Sequence, residues 1–82
     1  MYVLTENDLG AQPLDDIMTR LNLSNADLTR VSTEQLTHKM VQRGRKGRRL
    51  TLNAQSKILR ALAAARPGER FTLKDLFNYD GR

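Results

Sequence analysis

A chain of 82 residues with a net charge of +5 is long enough for one domain with a modest core. It has no cysteine, which excludes disulfides and thiolate metal sites; with two Phe, two Tyr and no Trp, its interior falls to Leu, Ile, Val, Met and Ala. No run of about 18 apolar residues is present, and MYVLTENDLG lacks a charged-then-apolar export pattern, so a cytoplasmic location is expected.

Residues 1–12 show no helical period and contain Gly10, which predicts a flexible N-terminal arm. Pro13 suits the first position of a helix, where its missing N–H costs nothing. Leu14, Ile17, Met18 and Leu21 follow at i, i+3, i+4 and i+7, while Asp15 and Asp16 complement the helix dipole in the first turn. A first helix is therefore expected near 13–21. Ser24 with Asp27 three residues on reads as a capping box for a short second helix, 24–31, whose strong apolar residues are Leu28 and Val31. Ser32 offers another cap, with Gln35 placed to reach back to it, and predicts a third helix over 32–43. Leu36 and Met40 mark its buried side, and Glu34, His38 and Gln42 its outer side, flanked by Gln35 and Val41.

Gly44 and Gly47 are expected to end that helix and leave RGRKGRR as a basic loop. Thr51 caps a fourth helix, 52–65, with Ala54, Ile58, Ala61, Leu62 and Ala65 on one face, and Pro67-Gly68 stops it. Residues 67–82 form a C-terminal extension with a short helix near 72–77, where Leu73, Leu76 and Phe77 can cover the open end of the core. The expected fold is all-α, a bundle of four to five short helices, with residues 13–66 as the main domain. Leu14, Ile17, Leu21, Leu28, Leu36, Met40, Ile58 and Leu62 are its predicted core.

Charge is distributed unevenly along these elements. Residues 1–36 hold Arg20 and Arg30 against Glu6, Asp8, Asp15, Asp16, Asp27 and Glu34. Residues 37–66 hold Lys39, Arg43, Arg45, Lys46, Arg48, Arg49, Lys57, Arg60 and Arg66 and no acid. Such a segment focuses a positive field suited to a polyanion, where a scattered charge run would read as a solvated face. Chemistry for catalysis is missing. His38 is the single histidine, and the basic segment has no carboxylates for a metal site. At i, i+4, Glu34 and His38 suggest a helix-surface contact rather than a general base. Adjacent Asp15 and Asp16 diverge on a helix, and GRKG is too short for a phosphate-binding loop. The chain is expected to be no enzyme and to need no cofactor, metal or small-molecule substrate.

The run SNADLTRVSTEQLTHKMVQRGRKGRRLTLNAQSKILRAL resembles lambda-repressor-like (Cro type) helix-turn-helix DNA-binding domains over roughly residues 13–65. The resemblance implies that the third helix is a recognition helix lying in the major groove, with Ser32 its cap and Leu36 its anchor on the second helix. Thr33, Glu34, Gln35, Thr37 and His38 then face the bases. Lys39 and the residues Arg43, Arg45, Lys46, Arg48 and Arg49 contact phosphates. The turn departs from the family in having Arg30-Val31-Ser32 without a glycine. QLTHKM, RKGRRLT and LFNYDG also resemble small bacterial proteins of uncharacterised function, which implies no mechanism.

The side-chain chemistry agrees with base reading. Gln pairs with adenine, Glu accepts from cytosine N4, and Thr touches the thymine methyl, while Lys and Arg neutralise phosphates. The expected function is a small transcriptional regulator binding duplex DNA, as a homodimer on two half-sites. Two alternatives use the same cations: a nonspecific or RNA-binding protein, and an antitoxin-like adaptor docking an acidic protein.

Overall fold

The computed structural model describes residues 10–79. Five helices follow in order: α1 Pro13–Arg20, α2 Asn25–Val31, α3 His38–Lys46, α4 Leu52–Ala65 and α5 Leu73–Leu76. The described residues contain no strand, and none of their helices is long and apolar enough to cross a membrane. The fold is all-α, as the sequence predicts.

Three helices form where the sequence signals for a helix start predict them. Pro13 opens α1, which buries Leu14, Ile17 and Met18 and leaves Leu21 half-buried. Asn22 turns the chain towards α2 in the left-handed region (φ 58°), a conformation Asn tolerates. At the start of α2 the Ser24 N–H donates to Asp27 (2.8 Å) and the Asp27 N–H donates to the Ser24 hydroxyl (3.2 Å). These bonds, the Ser24 backbone N–H foremost, lower the Asp27 pKa. Leu28 is buried from α2, whereas Val31 stays exposed. The Thr51 hydroxyl accepts the Ala54 N–H to start α4, whose buried face is Ala54, Ile58, Ala61 and Leu62, with Gln55 beside them.

The third helix starts six residues later than the sequence predicts. Ser32 does not cap it. Its hydroxyl instead accepts the Glu34 N–H (3.1 Å) in a local turn, a bond that competes with helix formation. Thr37 is the cap, accepting the Met40 N–H (3.1 Å). The reason is geometric. In one continuous helix Leu36 and Val41 would point about 140° apart and could not both face the core. Breaking the helix between them buries both, Leu36 from the non-helical connection and Val41 from α3, and leaves Met40 half-buried.

The end of α3 also differs. Gly44 does not stop the helix but sits inside it, buried where α3 meets α1 and α4. Gly47 is the terminator, in the left-handed region (φ 95°), and both its N–H and that of Arg48 donate to the Arg43 carbonyl. A β-carbon at 47 would overlap the Gly10 carbonyl. Arg43, Arg45 and Lys46 are therefore helical and not part of a loop.

Leu50, Leu76 and Phe77 close one core with the residues named above. Helix α2 lies on α4, α1 on α3, and α5 against both α1 and α4. Of the expected arm, residues 1–9 lie outside the described residues, and its last residue is tied in. Gln12 is buried; its N–H donates to the Arg45 carbonyl (3.0 Å) and its side-chain oxygen accepts the Asn78 N–H (2.8 Å).

Candidate nucleic-acid interface

Burial of Val41 and Gly44 decides which way α3 faces. At 100° per residue, Lys39, Gln42, Arg43 and Lys46 (i, i+3, i+4, i+7) point about 180° from those two. All four are exposed, and His38 is exposed beside them at the first position. Among the described residues, no ion pair holds Lys39, Arg43 or Lys46. One face of a nine-residue helix thus carries three unneutralised cations and an amide.

Arg48 is exposed just beyond α3, and Arg49 is half-buried with its guanidinium 5.2 Å from the centre of the Tyr79 ring. Tyr79 pins this segment: its hydroxyl donates to the Arg48 carbonyl (3.1 Å) and accepts the Leu50 N–H (2.9 Å). An aromatic ring 30 residues downstream therefore sets the path of the chain beyond the helix, which no local pattern around the cations announces.

Arg45 departs from the expected set. It points away from the exposed face, with Nε on Asp15 (2.6 Å) and Nη1 on Asn25 (2.9 Å). Asn25 in turn donates to the Gln42 side-chain oxygen (2.9 Å). Arg45 is thus a brace joining α1, α2 and α3, and its charge is already paired.

The expected base-reading residues are also divided. Only His38 lies on α3. Thr33, Glu34, Gln35 and Thr37 occupy the non-helical connection ahead of it. Glu34 receives two bonds from Arg60, Nε to Oε2 and Nη2 to Oε1, both 2.6 Å. The Arg60 hydrogen bonds, helped by the charges of Arg60 and Lys57, outweigh desolvation and hold the Glu34 carboxyl below its ordinary pKa. Both of its oxygens are tied to Arg60 on α4, which holds the carboxylate against that helix rather than projecting it towards a base edge. Thr37 spends its hydroxyl on the cap, and the Gln35 carbonyl accepts from the Lys57 ammonium (3.5 Å). Thr33 and the Gln35 side chain are exposed beside the start of α3.

The sequence places Gln42 on the outer side but outside the reading set; it gives Asp15 only a helix-dipole role and Asn25 none. The spacing of Lys39, Gln42, Arg43 and Lys46 opposite Gly44 was the available signal. Among the described residues no three His, Asp or Glu side chains gather as a metal site would require. Comparison of the chain with family models, curated proteins and solved structures finds no match to any of the three.

Proposed function

We propose that this chain is a duplex-DNA-binding module, a small transcriptional regulator that lays the exposed face of α3 along the major groove. The observation that carries the reading is that face itself: Lys39, Gln42, Arg43 and Lys46 in one stripe, without an acid, on a helix fixed from behind by Val41 and Gly44. An α-helix with its side chains is about 10–12 Å across. That diameter fits the major groove of B-form DNA, about 12 Å wide, whereas the deep, narrow major groove of A-form RNA admits no side-chain reading. With the late start of α3, the reading group becomes His38 and Gln42 rather than the connection. Lys39, Arg43, Lys46 and Arg48 supply the phosphate contacts. α2 and α3 are joined by the six residues 32–37, a longer link than the helix-turn-helix resemblance implies.

Selection of bound sequences from a random duplex pool, run with the full chain at two salt concentrations, tests this. Recovery of a short common sequence, bound more weakly at the higher salt, is the expected result. Recovery of unselected sequence with salt-sensitive binding would leave only a nonspecific clamp. Capture of no duplex would remove the reading.

A further inference from the structure

An amide side chain can present either end outward, and which end it presents decides what it can read. Around Gln42 that choice is dictated by a neighbour with no freedom. A guanidinium only donates. Nη1 of Arg45 lies 2.9 Å from Asn25, so the Asn25 atom facing it is the oxygen. The remaining end of Asn25 is then its NH2, which lies 2.9 Å from Gln42 and donates to it. The Gln42 atom turned towards α2 is therefore its oxygen, and its NH2 faces outward. Arg45 itself is held by Asp15 at 2.6 Å, so the chain of four residues is anchored on α1.

The consequence concerns base choice. Glutamine reads adenine bidentately by offering an oxygen and an N–H together. With its oxygen turned inward, Gln42 offers donors alone. Lys39, Arg43 and Lys46 on the same stripe also only donate. We infer that Gln42 selects guanine, whose major-groove edge is the acceptor pair N7 and O6, and that Asn25 is the positioning residue that sets this preference. The inference rests on the proposed binding of duplex DNA by α3.

An isosteric substitution tests it. Asn25→Asp keeps an oxygen for Arg45 but turns an acceptor towards Gln42, whose amide must then rotate, bringing its oxygen outward. In the free wild-type chain, side-chain amide NMR should show an Asn25 NH2 hydrogen slowed in solvent exchange and the Gln42 NH2 exchanging freely. The opposite pattern would overturn the inference without reference to DNA. On duplexes selected by the full chain, the base position most sensitive to Gln42→Ala should be guanine. Replacing that guanine by 7-deazaguanine, which lacks N7, should weaken binding severalfold. Asn25→Asp should lower the guanine preference about tenfold, towards a base with an amine donor, and leave the salt dependence unchanged. Adenine at the Gln42-sensitive position, or an unchanged preference in Asn25→Asp, would contradict the inference while leaving DNA binding intact. If the wild-type chain binds no duplex, the inference falls together with the reading beneath it.

Discussion

Gly44 faces Ile58 so closely that a β-carbon at 44 would lie 3.1 Å from the Ile58 Cδ1, with the Leu50 and Leu14 methyls at 3.3 and 3.4 Å. The contact puts the backbone of α3 against the core and so turns Lys39, Gln42, Arg43 and Lys46 outward. Its size requirement is testable. Gly44→Val should destabilise the chain by about 1–3 kcal/mol in urea melts, through overpacking. Gly44→Ala should stay within about 1 kcal/mol of wild type, because better helix propensity offsets the crowding. Gly47→Ala should cost at least about 1 kcal/mol, since that residue is left-handed and abuts the Gly10 carbonyl.

The start of α3 gives a second prediction. Thr37→Ala removes the cap bond to Met40 and should cost about 0.5–2 kcal/mol. Ser32→Ala, which touches only the local turn at Glu34, should cost less. The reverse order of the two losses would restore a helix beginning at 32. Leu36→Ala and Ile58→Ala should each cost roughly 2–5 kcal/mol, as both side chains are buried.

These two sites show what the sequence made legible. α1, α2 and α4 were readable because each has a single unambiguous start signal, Pro13, the Ser24–Asp27 box and Thr51, followed by apolar residues that do not conflict over which face is buried. In the third segment Ser32 and Thr37 compete as caps, and Leu36 and Val41 cannot share a helical face. Only packing chooses between the caps. Within the candidate site, the charge of the segment was evident from composition. The pairing of Arg45 was not, because Asp15 and Asn25 lie 30 and 20 residues away along the chain. Gly44 misled for a related reason: a glycine required by the approach of Ile58 looks, in sequence, like a glycine that ends a helix.

The ion pair of Glu34 with Arg60 predicts a pH dependence. The folded carboxyl titrates below its ordinary value, so the unfolded chain binds its proton first as pH falls. The stabilising contribution is therefore complete above the ordinary carboxylate pKa and is lost as pH drops through the folded value. Carboxyl NMR titration should show the Glu34 midpoint rising in Arg60→Met, and the acid-induced loss of stability should shrink in Glu34→Gln. A Glu34 midpoint unchanged by loss of Arg60 would mean the pair does not persist in solution.

Arg45 and Lys46 are sequence neighbours with opposite expected behaviour. Arg45→Ala should lower stability by about 1 kcal/mol, a figure discounted for partial exposure of the pair, and should leave the salt dependence of binding nearly unchanged. Lys46→Ala should leave stability nearly unchanged and flatten the salt dependence by roughly one unit of slope. Thermal melts combined with duplex titrations at several salt concentrations separate the two.

The central claim is that the exposed face of α3 grips DNA, and the slope of log affinity against log salt measures it most directly. With Lys39, Arg43, Lys46 and Arg48 each neutralising a phosphate, the full chain on duplex DNA should give a slope of about −3 to −4. The triple substitution Lys39→Ala, Arg43→Ala, Lys46→Ala should bring it to about −1 while the melting profile stays close to wild type. A slope that does not change in the triple variant, or wild-type binding indifferent to salt, would contradict the assignment of α3 as the nucleic-acid interface.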